Sequence, residues 1–237
     1  MAADYYAIPA HRAALRERTA TAALDGARRA QPGSRDQRAL AVGFAASAES
    51  EGQLDRLRSW LSGTPLPEGM SLDLDLRRQI LATLSARGLA TDGDLDAFAS
   101  DDPVGGEAHG ATCRALRPSQ AAKEAAWTAS LADGQTPRMA QAHARGIWVP
   151  GQEGILAPFR DRYFSQALPA ISDLEPRTAQ RLAGLLYPAT LADFATIAAT
   201  DAALEGGELG DPLRIVLLEQ RAILQEVLAA RMAVTSA

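Results

Sequence analysis

The chain is poor in the residues that carry strong chemistry. It has one cysteine, Cys113, so no disulfide can close within it, and a reducing, cytoplasmic setting is expected. It has three histidines, His11, His109 and His143. None belongs to an H-E-x-x-H pattern, which would set two imidazoles one helical turn apart with a carboxylate between them. Aromatics are 5% of the residues, and Lys123 is the sole lysine. No 18 consecutive residues are apolar, which argues against a membrane-spanning helix. The N-terminal stretch "MAADYYAIPAHRAALRERTA" has no apolar run that would serve as a signal peptide. The net charge is −5, and the arginines are interleaved with acids, so no phosphate-binding stripe and no nucleic-acid partner are expected. The Gly-rich segment "GGELGD" at 206–211 lacks the Walker pattern and a preceding strand. It reads as a turn before the last helix.

What is present is helix-forming material. Apolar residues are 47% of the chain, with alanine abundant and aromatics few. Alanine has the best helix propensity and loses no side-chain entropy on ordering. No alternating Val/Ile/Thr segment reads as a strand. Ser34 with Gln37, and Ser50 with Gln53, read as capping boxes. Leu54, Leu57, Trp60 and Leu61 stand at helical spacing, as do Leu76, Ile80, Leu81 and Leu84, with Gly88 as a C-terminal cap. Thr91 and Asp94 start a short helix, Ser119 another, and Pro137 sits in the first turn of a third. Pro169 and Pro176 bracket a break, 190–200 reads as a short helix, and Asp211-Pro212, an N-cap followed by proline at the first helical position, begins the longest amphipathic run. The spacing predicts an all-α protein of about a dozen short helices. The helices pair roughly every 35 to 45 residues, as in a curved HEAT or armadillo-like solenoid. Residues 1–237 read as a single helical domain, with the loop at 62–71 its weakest point.

Few constellations invite chemistry. His109 and Cys113 stand at i and i+4 on a helix, two ligands of a tetrahedral site without partners. The pairs Asp73/Asp75, Asp94/Asp96 and Asp101/Asp102 lie near helix starts, where carboxylates cap free amides and meet the helix dipole. No catalytic residue and no metal ligand is assigned. The aromatic-rich stretch 146–164, "GIWVPGQEGILAPFRDRYF", is the one local anomaly: it holds Trp148, Phe159, Tyr163 and Phe164 around a turn at Pro150-Gly151. Aromatics dominate core burial, so the stretch reads first as core beside a helix start. Phe159 and Tyr163 share a face, and Trp148 can pack back against them. Gln152 and Glu153 stand where free amides need partners.

Several segments resemble a known family. These are "QPGSRDQRALAVGFAASAESEGQLDRLRSWLSG" (31–63), "MSLDLDLRRQILATLSARG" (70–88), "HGATCRALRPSQAAKEAAW" (109–127), "WVPGQEGILAPFRDRYF" (148–164) and "RLAGLLYPAT" (181–190). They resemble the C-terminal helical, HEAT-like domain of bacterial aminopeptidase N of the actinobacterial type, a zinc metallopeptidase family. The match is densest at Pro150, Gly151, Gln152, Glu153, Ile155, Leu156, Pro158, Phe159, Arg162, Tyr163 and Phe164. Arg78 departs from the tryptophan often found there.

The resemblance implies that the chain is the C-terminal part of a larger aminopeptidase and is not an enzyme by itself. It implies a zinc-bearing catalytic domain of the same polypeptide as partner, with no cofactor in this chain. The helical domain would cap the catalytic domain and shape the access of peptide substrates. The exposed polar residues Gln152, Glu153 and Arg160 are then the candidates for facing a peptide or that domain, while Trp148, Pro150, Gly151, Phe159 and Tyr163 form the structural motif. A free-standing helical-repeat scaffold that binds a protein or peptide is the alternative. Cutting a solenoid exposes a face meant for the preceding repeat. The helix from about Pro9 to Ala30, with Leu15 and Leu24, is therefore expected to carry an apolar face that promotes self-association.

Overall fold

The computed structural model describes residues 6–206 and 209–235. These residues form helices joined by short turns, with no strand among them. The helices are α1 (Pro9–Arg29), α2 (Arg35–Ser47), α3 (Glu51–Leu61), α4 (Leu74–Ala86), α5 (Asp92–Asp101), α6 (Gly106–Leu116), α7 (Gln120–Ser130), α8 (Pro137–Arg145) and α9 (Glu153–Arg162). A π-helical segment, Tyr163–Ala167, leads into α10 (Leu168–Ile171). Then follow α11 (Pro176–Leu186), α12 (Phe194–Glu205) and α13 (Asp211–Thr235). No helix among the described residues is long and apolar enough to cross a membrane.

Side chains at the helix starts explain most boundaries. Ser34 Oγ accepts from Gln37 N at 3.1 Å, Asp73 from Leu76 N at 2.9 Å, Ser119 from Ala122 N at 3.2 Å and Thr136 from Met139 N at 3.3 Å. Each satisfies an amide that the first turn leaves unpaired. Thr91 and Asp94 form a reciprocal box: Asp94 N donates to Thr91 Oγ1 at 3.1 Å and Thr91 N to Asp94 Oδ2 at 2.8 Å. The Gln37 side chain reaches further than a box requires. Its Oε1 accepts from Gly33 N at 2.8 Å, and its Nε2 donates to Ala27 O at 3.1 Å and Glu68 O at 2.9 Å. At the end of α4, Gly88 has φ 71°. There Leu89 N donates to Leu84 O at 2.8 Å and Gly88 N to Ser85 O at 2.9 Å, a Schellman ending.

The described chain divides into two compact units, and the division falls within α6, between Cys113 and Arg114. The first unit is Pro9–Cys113. Here α1 lies along α2, and α2 and α3 both pack on α4. The core gathers Phe44, Leu57, Trp60, Leu76, Ile80 and Leu84, with Phe44 and Trp60 edge to face at 5.3 Å. Leu81, Leu95, Phe98 and Cys113 form a second cluster. A Cβ on Gly106 would stand 2.5 Å from Ala99 Cα, so glycine is what lets α6 start this close to α5. The face expected on α1 is corrected. Leu24 is buried with Ala20, Ala23 and Ala27, at the i, i+3, i+4, i+7 spacing of a packed stripe, and Leu15 is left as this helix's exposed large apolar residue.

The second unit runs from Arg114 to α13 and includes the residues just ahead of Pro9. Here α7 packs on α8, α8 on α11, and α11 and α12 on α13. Trp127, Phe159, Tyr163, Leu182, Leu186 and Leu217 belong to one core cluster.

Three sequence readings need correction. The helix expected at 190–200 begins instead at Phe194, because Asp193 Oδ1 accepts from Thr196 N at 2.7 Å and Thr196 Oγ1 donates to Leu191 O at 2.7 Å. Pro169 lies inside a helix instead of at a break. A proline ring clashes with the carbonyl four residues earlier, and the wide π turn before it, closed by Leu168 N donating to Tyr163 O, gives that carbonyl room. Asp211 is the first residue of α13 and not its cap. The turn read at 206–211 lies partly outside the described residues.

Candidate functional site

The 146–164 stretch is organised around the core of the second unit. Ile147 and Val149 are buried, and Trp148 between them points its indole N–H to Leu186 O at 2.7 Å, which ties the turn to the end of α11. Gly151 has φ 91°, a left-handed conformation that favours glycine. It reverses the chain so that Gln152 N reaches Val149 O at 3.1 Å.

Beyond the turn, Phe159 meets Trp127 of α7 with ring centroids 5.4 Å apart. The Arg162 guanidinium stands 4.9 Å from the Phe159 ring centroid and 5.2 Å from that of Trp127, and it pairs with Glu124 at 2.7 Å. A cation over two aromatic faces with a carboxylate beside it is a self-contained packing unit. Tyr163 is fully buried and donates to Ala183 O at 3.1 Å. It stands edge to face with both Phe164 and Tyr187, at 5.0 and 5.4 Å. Burial pushes the Tyr163 phenol well above its ordinary range and that of Tyr187 up to about 12. Both therefore stay neutral near pH 7 and act as hydrogen-bonding core groups.

The residues expected to face a partner are placed differently from one another. Gln152 is buried, at 8% exposure, and its amide donates to Leu116 O at 3.0 Å. The expectation that it is exposed is therefore corrected: the carbonyls at the end of α6 have no intrahelical donor, and Gln152 supplies one. Glu153 is half-buried and accepts from Gly151 N at 3.1 Å. Arg160 is half-buried and pairs with Asp193 at 3.1 Å. Of the structural motif, Phe159 and Tyr163 are fully buried in the core, and Trp148 packs against it.

Sequence reading passed over the most unusual polar group. Lys123 is fully buried on α7, and its Nζ donates to Ala115 O at 2.7 Å and Gly146 O at 2.9 Å. Ala115 lies in the last turn of α6, and Gly146 caps α8. The ammonium thus sits at the negative ends of two helices, while burial pulls its pKa down to about 7. Desolvation outweighs the two carbonyls. With the Gln152 bond to Leu116, two consecutive carbonyls at the end of α6 are held by side chains from elsewhere. A signal was available, since Lys123 shares the i, i+3, i+4, i+7 spacing of Ala126, Trp127 and Ser130, all buried.

The first unit carries arginine–carboxylate clusters. Glu49 receives both Arg16, at 2.9 Å, and Arg87. Arg38 spans Asp73 at 2.6 Å and Asp75 at 2.7 Å. Asp102 pairs with Arg78 and accepts from Gly105 N at 3.0 Å. The Asp102 carboxyl is held below the usual range, chiefly by the Arg78 hydrogen bond. Of the Asp pairs noted in the sequence, Asp73 and Asp94 cap helices, and Asp73, Asp75, Asp101 and Asp102 pair with arginines. His109 Nε2 lies 3.3 Å from the buried Cys113 sulfur and stacks edge to face on Phe98 at 5.2 Å. Burial, and then the Arg78 charge, lower the His109 pKa. No group of three or more His, Cys, Asp or Glu side chains able to hold a metal occurs among the described residues. The His109–Cys113 pair has too few donors to fit a tetrahedral zinc.

The fold and these sites define an all-helical protein whose polar clusters join helices to one another. No family model matches the chain. Over 235 residues, 98% of the chain, it is 35% identical to aminopeptidase N of Streptomyces lividans. It spans 27% of that protein's length, so the chain is a homologue of a part of an aminopeptidase N.

Proposed function

We propose that this chain is the non-catalytic C-terminal helical domain of an aminopeptidase N-like zinc peptidase, and that it caps the catalytic domain and shapes the access of peptides. The observation that carries the reading is the 35% identity over almost the whole chain to a quarter of a named aminopeptidase. The site geometry supports it: the dense 148–164 motif is spent on core packing and helix ties, as a domain that serves another by its surface requires. Stacked helix pairs of the HEAT kind would suit the task, because each adds a strip to a peptide-facing wall. Glu153 and Arg160 are half-buried and keep part of their side chains at the surface.

The test is a replacement. The matching segment of the Streptomyces lividans enzyme is deleted, or exchanged for this chain, and hydrolysis of an aminoacyl-nitroanilide is compared with that of peptides of three to ten residues. The exchanged protein is expected to show chelator-sensitive activity and a peptide-length profile close to that of the whole enzyme. The deleted form should lose that profile. The same profile in the deleted form overturns the capping role. Chelator-sensitive activity of this chain alone overturns the non-catalytic assignment.

A further inference from the structure

We infer that the outer face of α13 is a self-association surface that pairs with α13 of a second copy, the two helices parallel and in register. The inner face of this helix is spent: Leu213, Val216, Leu217, Leu224 and Val227 are buried. The outer face carries Ile215, Leu218, Ala222, Gln225, Ala229 and Met232, all exposed and spaced alternately by three and four residues. That is the seam spacing of two paired helices. Of the large apolar residues that α13 exposes, Ile215, Leu218 and Met232 lie on the seam at 48% to 52% exposure, and Ile223 and Val234 lie off it.

Charge selects the occupant. One flank of the seam carries Arg214 and Arg221, and the other carries Glu219 and Glu226. In a parallel pair the basic flank of each helix runs beside the acidic flank of its mate, with a residue facing the one five positions further on. Arg214 then meets Glu219 of the second copy, and Arg221 meets Glu226. An antiparallel pair would set arginine against arginine and glutamate against glutamate. Both arginines also hold α12, Arg214 through Leu204 O at 2.9 Å and Arg221 through Asp201, so the exchange across the seam shares these guanidiniums with contacts inside the chain. Glu219 and Glu226 are exposed and have no ion pair among the described residues. One helix pair of this length lies at or below the low end for specific interfaces, about 1,200 Å² in total, where weak, transient pairing is the rule.

Sedimentation equilibrium of the full 237-residue chain, from about 1 to 500 µM at low and high salt, tests this against four variants. Native protein should dimerise, more weakly at high salt. Arg214→Glu and Glu219→Arg should each weaken the dimer about tenfold, because each places like charges at two symmetric contacts. The double variant Arg214→Glu/Glu219→Arg should recover most of the loss. Leu218→Glu should abolish pairing with an unchanged circular dichroism spectrum. If Leu218→Glu unfolds, the charge-exchange set decides alone. A chain that stays monomeric throughout, a dimer indifferent to these changes, or a double variant no better than the single ones overturns the inference.

Discussion

Lys123 is a charge placed where the sequence would lead one to expect an alanine. Its Nζ lies between two helix-end carbonyls, and its pKa of about 7 is below the ordinary value because burial penalises the ammonium. Between about pH 7 and 10 the unfolded chain keeps the proton and the folded chain releases it, so stability rises with pH across that window. Below pH 7 both states carry the proton, and the folded state bears the full cost of the buried charge. Denaturant titrations at pH 6, 7, 8 and 9 should show native stability gaining on that of Lys123→Met by about 1 kcal/mol per unit above pH 7. A constant difference between the two would mean that the amine titrates normally. Only its register with Ala126, Trp127 and Ser130 could have marked it in the sequence, and its partners, Ala115 of α6 and Gly146 at the end of α8, are set by tertiary packing. The caps were easier, because Ser34, Asp73, Thr91 and Ser119 act within four residues of themselves. The partners of Trp148 and Gln152, Leu186 and Leu116, are more than thirty residues away in sequence, and no local pattern names them.

At the scale of elements, helix existence was legible and helix contact was not. Alanine content, apolar spacing and capping residues located most helices. The π segment at Tyr163–Ala167 was not foreseen, although Pro169 marked the place where a regular helix would clash. Close approach is the clearest case of a contact written in one residue. Gly106 opens α6 against Ala99 of α5, and a methyl group there must push backbone, not a flexible side chain. Gly106→Ala is expected to destabilise the protein by about 1–3 kcal/mol, although alanine is the better helix former. Gly52, with nothing within 4 Å of an added Cβ, supplies the control within one experiment: Gly52→Ala should be neutral or stabilise by up to about 1 kcal/mol. Thermal melts of the two variants read against each other check this. Equal shifts would mean that α5 and α6 separate at little cost.

For the whole molecule, the sequence read as one continuous helical array with its weakest point at 62–71, whereas the contacts divide it inside α6. Composition does not mark that division, since α6 is a regular helix with its apolar side chains shared out at Cys113 and Ala115: Cys113 joins the Phe98 cluster, and Ala115 joins the cluster of Trp127 and Phe159. Separate clusters predict separable stability. Leu57 is fully buried beside Phe44 and Trp60, and Leu57→Ala should cost about 2–5 kcal/mol where its cavity opens. Amide exchange followed by mass spectrometry resolves where that is. Peptides from α2, α3 and α4 should lose protection by about 30-fold or more, while those from α11 and α13 should change by less than about threefold. A uniform loss across both sets would mean that the described helices unfold as one cooperative body, and that the boundary in α6 separates contacts without separating energies.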